Sequence, residues 1–545
     1  MTRAFTLLII IILAFLGCAR VSSPTGGPED KDAPILISST PKDGQTQYDQ
    51  KTVTLLFDEA VTTKSIENNL IITPSIPGNF KTRIRRNAVQ LTFDSTWREN
   101  TTYSFNFGNT ITDLNEGNIP SNLYLSFSTG ETIDSLTISG KITNLYTSEP
   151  VKQALVSLYP STDTLDITSG AALYLTKTDT TGNYKFHNLP SGNFLVYAVL
   201  DKNNNSKADT DKELYGFLKD TVNLTQNISD QSFSIQRLNV VPLAIKTNRH
   251  FGKYFDITFN KPITSYQLQS TDDNSILHHQ YSPDKIRLYN QANVYGDTTI
   301  FTLSANDSIN SNLNQTVKVY FNESNLQGDE FKQEISPSTP YITNDFDLKI
   351  TFNKPVNTYH LDKIIIQKDT LNKFTLVDSL TTWNTNKTEV SWSLKASNFI
   401  KPGEQFEAIF ESGAFISIES DSSSAVQKRF QLAKSEDSGM IEGTITTDAP
   451  NFIVQLLNNQ GTVIREVFNI KSYQFNNLDA GNYKVRLIID NNNNQKLDVG
   501  NILTRTNSEP IIFYSDPLSK SKTISVKKNW EIGDINISYA VNNRN

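Results

Sequence analysis

The sequence predicts an all-β protein made of β-sandwiches in series, and three observations carry that prediction. From Ala33 onward, short runs of Val, Ile, Leu, Phe, Tyr and Thr, such as VTLLF at Val53 to Phe57 and SFNFGN from Ser104, are separated by Asn, Asp, Gly, Ser and Pro. Short strands with frequent turn signals point to sandwiches rather than βαβ units. No stretch carries the pattern of a long helix, and segments of the chain repeat one another at long offsets.

Composition bounds the function. The 545 residues hold 57 acidic and 50 basic side chains, for a net charge of −7, with one Cys, two Met and five His. A single Cys excludes a disulfide framework, and the length calls for several domains. The mildly acidic, charge-interspersed chain lacks the overall basic footprint that phosphate backbones require, so nucleic acid is not expected as a partner.

Residues 1–17 read as a signal peptide: Arg3 supplies the positive n-region, and Phe5 to Leu16 forms an apolar run of twelve residues. A spanning helix needs about 20 apolar residues, so this run is too short to stay in the membrane as an anchor. It ends in Phe15, Leu16, Gly17 and Cys18. This segment resembles the lipobox of bacterial lipoproteins, with Phe15 and Leu16 departing from the commonest form. The resemblance implies that Cys18 becomes the lipidated first residue and that 18–32 is a flexible tether. Acyl chains contribute about 0.8 kcal/mol per buried CH2, enough to hold a protein to a surface without a spanning helix. Ala19, rather than Asp, at the next position implies delivery to the outer membrane, either leaflet remaining open.

Next comes 33–130. APILISSTPKDG at Ala33 to Gly44, LFDEAV at Leu56 to Val61, GNTITDLNEGN at Gly108 to Asn118 and LSFSTG at Leu125 to Gly130 resemble, in order, the S-layer-type bacterial Ig-like domain. TFNKPI at Thr258 to Ile263 and TFNKPV at Thr351 to Val356 repeat the LFDEAV element, a strand ending in Phe, a polar turn and a small apolar residue. Two divergent Ig-like domains are therefore expected at 239–330 and 331–435.

The stronger repeat aligns Asn188 to Asp209 with Asn477 to Asp498 without gaps at an offset of 289, within modules opening at ISGKIT (Ile138 to Thr143) and IEGTIT (Ile441 to Thr446). Together with DTTGNYKFHNLP at Asp179 to Pro190, the first module resembles the carboxypeptidase-regulatory or transthyretin-like sandwich. This places such modules at 134–238 and 438–545, the second lacking fourteen residues between its opening strand and the Asn-Leu turn. In enzymes this module is an accessory part, so the resemblance brings no catalytic residues.

Both repeats carry oxygen-bearing side chains at D-x-N-x-N-x-x-x-D spacing: Asp201, Asn203, Asn205 and Asp209, then Asp490, Asn492, Asn494 and Asp498. Alternating oxygens in a tight turn can converge on Ca2+, with a carbonyl of Lys207 or Lys496 and, in the first loop, Asp211 as further donors. Neither loop is an EF-hand: the sixth position is not Gly, and the twelfth is Lys212 or Asn501. Affinity is expected at about 10⁻⁴ to 10⁻³ M. The alternative is a turn whose Asx side chains bond their own backbone.

His187, His250, His278, His279 and His360 form no H-E-x-x-H arrangement, and His278-His279 is expected to be exposed. There is no G-x-S-x-G elbow and no phosphate-binding Gly loop. Trp97, Trp383, Trp392 and Trp530 are either a sugar-stacking platform or core residues. Trp530 is expected in the core or at a junction. Asp-Ser and Asp-Thr recur at Asp134, Asp163, Asp179, Asp220, Asp307, Asp369 and Asp378. They resemble an O-glycosylation sequon of some gram-negative secreted proteins, and they are also ordinary turn starts.

The expectation is a non-enzymatic, lipid-anchored envelope protein acting as a structural spacer or adaptor in an outer-membrane protein assembly. Its partners would be the membrane, through the lipid, and outer-membrane or cell-surface proteins. A surface glycan or polymer is the alternative ligand, and no cofactor is expected beyond weakly held Ca2+.

Overall fold

The computed structural model describes residues 30–121, 123–270, 276–290, 295–323, 328–434 and 438–540. Cys18 and residues 1–17, expected as a signal peptide, lie outside these residues. Within them the chain is all-β, its one α-helix being the four residues Ile66–Asn69. No helix among the described residues is long and apolar enough to cross a membrane.

The first sandwich sets the pattern. Strand Thr52–Phe57 alternates so that Val53, Leu55 and Phe57 are fully buried while Thr52, Thr54 and Leu56 face outward. It lies between Leu36–Thr40 and Ala88–Phe93, with Phe80–Arg85 at the far edge. A facing sheet of Ile71–Thr73, Thr102–Asn106 and Tyr124–Ser128 closes the core. There Trp97 meets Phe127 edge-on at 5.2 Å and donates its indole N–H to Gln50 O at 2.7 Å. The late Asp-rich turn has a physical cause: buried Asp113 accepts the backbone N–H groups of Asn115, Glu116, Gly117 and Asn118.

The two long-offset repeats share one topology. In the first, Leu136–Asn144 pairs antiparallel with Asn183–Leu189 and parallel with Phe233–Ile235. In the second, Gly439–Thr447 pairs antiparallel with Ser472–Leu478 and parallel with Glu531–Ile532 and Ile537–Tyr539. The glycines of ISGKIT and IEGTIT are required by this crossing. A Cβ on Gly140 would collide with the carbonyl of Gln231, and one on Gly443 with that of Ile535. The same two carbonyls accept the hydroxyls of Tyr184 and Tyr473.

Between these modules stand two further sandwiches, with cores centred on Phe255, Ile257, Leu288 and Leu303, and on Leu348, Ile350, Trp392 and Phe410. The TFNKP turn is not a solvated one. Lys261 is buried against Asp307, and fully buried Lys354 bonds Glu419 at 2.7 Å and Asp421 at 2.6 Å. A charge can sit there only because a carboxylate meets it. In the LFDEAV copy, Glu59 takes the lysine's place.

The series is not a string of beads. The terminal module turns back onto the first repeat: Ile502 and partly buried Val499 enter an apolar cluster with Tyr159, Ile167, Tyr197, Tyr215 and, from the third sandwich, Ile309. Arg505 lies over the Tyr197 and Phe217 rings, donating to Tyr197 Oη at 2.6 Å, Leu218 O at 2.5 Å and Lys219 O at 3.2 Å. Lys522 reaches Ser148 O at 2.9 Å and Glu149 Oε1 at 3.1 Å. Ile167 belongs to the segment between strands Leu155–Pro160 and Tyr174–Lys177. The second repeat replaces that segment by a tight turn, Asn458 N to Thr462 O at 3.0 Å.

Candidate functional site

The structure brings each set of loop residues together. Every loop follows a long central strand, Gly192–Val199 or Gly481–Ile489, whose end delivers the first Asp. Asp201 accepts the N–H groups of Asn205 and Ser206, at 3.3 and 2.8 Å. Asp490 does the same for Asn494 and Gln495, at 3.0 and 2.9 Å. Asn203 Oδ1 accepts Asn205 N at 3.1 Å and Asn492 Oδ1 accepts Asn494 N at 3.2 Å. Asn205 Oδ1 and Asn494 Oδ1 each accept the N–H two residues on, at 2.8 Å. The Asn203 and Asn492 amides each donate to the closing Asp209 or Asp498 at 2.6 Å. Left-handed backbone recurs at Asn204 and Ser206, and at Asn493 and Gln495, a conformation that Asn adopts more readily than most non-glycine residues.

Sequence reasoning missed one residue per loop. Buried Glu213 accepts Lys202 N at 2.7 Å and Asp209 N at 3.1 Å, and buried Glu509 accepts Asn491 N at 2.7 Å and Asp498 N at 2.9 Å. Each clamps both ends of its loop. Glu213 sits just past the twelfth loop position, whereas Glu509 is eleven residues beyond Asp498, so the ungapped alignment does not pair them. Burial raises the Glu509 pKa, its two backbone donors oppose that, and the nearby Asp498 and Asp490 carboxylates add to the rise.

In this geometry the Asx oxygens satisfy the backbone of their own turns. Among the described residues, no group of three or more His, Cys, Asp and Glu side chains has a metal-holding arrangement. The loops also touch the junctions: Asp201, Asn204 and Ser206 line a cavity of about 380 Å³ against the first sandwich. Ala208, in the first loop, belongs to the apolar cluster that receives Ile502.

Other candidates scatter. Trp97 and Trp392 are core residues, Trp383 packs beside Phe352 and Phe415, and Trp530 stands 47% exposed with Lys527 4.6 Å from its ring. The four tryptophans form no common platform, and Trp530 is not a core residue, because it lies in the turn before strand Glu531–Ile532. His279 is buried, contrary to its polar surroundings in sequence, since strand His278–Ser282 pairs with Lys285–Tyr289 and stacks the imidazole on Tyr289. Burial and the Arg287 charge push its pKa down to about 4. His278 meets Tyr266 Oη at 3.0 Å. Asp163, Asp179, Asp307 and Asp369 each accept a backbone N–H two residues on, as turn starts do.

Residues 30–129 match the bacterial Ig-like domain family. No curated protein matches the chain. Among solved structures, the chain is similar to the major pilin subunit BcpA of Bacillus cereus at 10% identity, covering 75% of this chain and 99% of that one, TM-score 0.14. It is similar to the S-layer protein SbsC at 11% identity, covering 83% and 64%, TM-score 0.14. A third is SGBP-B of the Bacteroides ovatus mixed-linkage glucan utilization locus, in complex with a heptasaccharide, at 9% identity, covering 63% and 88%, TM-score 0.17. The first sandwich is thus a bacterial Ig-like domain, carried by a chain of further β-sandwiches.

Proposed function

We propose that this is a lipid-anchored protein of the cell envelope, tethered through Cys18, that serves as a structural scaffold or adaptor in an outer-membrane protein assembly. The observation that carries this reading is the closure of the terminal module onto the first repeat, which turns a series of small sandwiches into one braced body with several faces. The reading includes no catalytic step. Affinity purification from solubilised membranes tests it: defined envelope proteins should co-purify with the wild-type chain, and recovery of the chain alone refutes the adaptor role. Cys18→Ala should release the protein or leave the precursor unprocessed, and unchanged outer-membrane fractionation refutes the anchor.

A glycan-binding role is the second reading, favoured by a cleft of about 670 Å³ between the fourth and fifth sandwiches. Tyr341, 41% exposed, and the amides of Asn458, Asn459 and Gln460 line it, a combination of ring and amide that suits a sugar. Tyr341→Ala should abolish any measured glycan affinity if this cleft is the site.

For the paired loops we propose weak Ca2+ binding, supported by the same Asx geometry recurring in two otherwise diverged modules. A ligand at ten times its Kd stabilises the native state by about 1.4 kcal/mol per site. Thermal unfolding of the whole mature chain with millimolar Ca2+ or chelator, alongside Asp201→Ala and Asp490→Ala, measures it. An unchanged wild-type midpoint leaves the loops as backbone-satisfied turns.

A further inference from the structure

The edge strand Phe80–Arg85 of the first sandwich reads FKTRIR and is followed by Arg86, placing four cations in six residues of a chain that is acidic overall. Lys81, Arg83, Arg85 and Arg86 are all exposed. Among the described residues none of them takes part in an ion pair. Phe80 packs against the core, so by strand alternation Lys81, Arg83 and Arg85 point to the opposite, outer face. Register then defines what surrounds them. They lie across from Thr92, Gln90 and Ala88, and those residues across from Thr52, Thr54 and Leu56. That part of the outer face is therefore uncharged apart from its basic border. Glu67 accepts the hydroxyl of Thr82 at 2.9 Å, a residue that alternates to the other side, and Asp94, whose N–H bonds Asn79 O at 3.1 Å, flanks the border at the Phe80 end.

We propose that this basic border rests on the anionic headgroups of the membrane that holds the lipid, and so orients the first sandwich on the bilayer. The proposal builds on the lipid-anchor reading. Eleven residues lie between Cys18 and Asp30, where the described chain begins, and at about 3.5 Å per residue they reach no further than roughly 40 Å. The first sandwich is thus confined near the surface. A cation within a Debye length of an anionic leaflet is attracted to it, and beyond that distance salt screens the pull. The acyl chains supply attachment, and the basic border supplies orientation.

The test uses the unlipidated mature chain from Ala19 onward, so that attachment by lipid plays no part. It is sedimented with vesicles of phosphatidylglycerol and phosphatidylethanolamine, and with neutral phosphatidylcholine vesicles. Binding is expected to the anionic vesicles only and to fall as salt is raised. Lys81→Gln, Arg83→Gln and Arg85→Gln together should weaken it on the order of a hundredfold, about fivefold for each charge. All three sites are exposed, and an unchanged thermal midpoint of the triple variant verifies folding. The proposal is overturned by absence of wild-type binding, by equal binding to neutral vesicles, or by a folded triple variant that binds as well as wild type. Retention on an anionic polysaccharide without vesicle binding also overturns it, assigning the border to a polymer. Because the lipid is absent throughout, failure here leaves the Cys18 reading standing, and the Cys18→Ala fractionation fails or succeeds on its own.

Discussion

Removing the Arg505 and Ile502 side chains should open the chain without unfolding its modules. The guanidinium makes three hydrogen bonds, to Tyr197 Oη, Leu218 O and Lys219 O, while lying over two aromatic rings. Hydrogen bonds to a charged group contribute about 1.5 to 3 kcal/mol each when dry. Arg505 is only half-buried, so the set is better taken as about 2 to 4 kcal/mol, the ring contacts included. Ile502, 6% exposed in the junction cluster, adds about 2 kcal/mol at the low end of Ile→Ala costs, since an opened junction can collapse. The two residues are neighbours, so their effects couple and the double variant should lose about 4 to 5 kcal/mol of docking. At 1.4 kcal/mol per tenfold, the undocked population rises on the order of a thousandfold. Hydrogen exchange of the chain from Ala19 onward reads this directly. Exchange in 161–173 and 499–506 should accelerate, while strand Asn183–Leu189, on the far sheet of the first repeat, keeps its protection. Small-angle scattering should show a larger radius of gyration. Identical exchange and scattering in the folded double variant would refute the clasp.

Gly140→Val and Gly443→Val should each destabilise their module by several kcal/mol, because the new side chain meets a backbone carbonyl that cannot move without breaking the parallel crossing. Stepwise urea unfolding that matches wild type would contradict the crossing. Lys354→Ala should cost about 3 to 5 kcal/mol by stranding Glu419 in the interior. Lys354→Met with Glu419→Gln should recover much of that loss, and no recovery would show that packing rather than charge sets the cost. His279 contributes a pH dependence. Its folded pKa, about 4, lies below the unfolded 6.5, so the unfolded chain binds the extra proton and stability falls as pH drops from 6.5 toward 4. The loss should reach about 3 kcal/mol by pH 4, and His279→Gln should remove it. An equal acid dependence in that variant would assign it to other groups.

The sequence by itself determined the strands, because their cause is local. Val53, Leu55 and Phe57 alternate with Thr52 and Thr54, and period-two alternation is what one buried sheet face demands. It also determined the repeats and therefore the loops: the Asx spacing forces the turn that Asp201 and Asp490 close. What sequence left out depends on partners distant along the chain. Glu509 joins the second loop through Asn491 and Asp498, in a position the ungapped repeat does not contain. Lys261 and Lys354 read as part of a polar turn and His279 as exposed, but acids and rings some 10 to 67 residues away bury them. The closure of the molecule was least legible, for Ile502 and Arg505 look like ordinary loop residues until Tyr197, more than 300 positions earlier, is brought beneath them. Alternation records which face of a strand is buried. It carries no record of which second surface will cover an apolar patch, since any surface of matching shape satisfies the same hydrophobic demand.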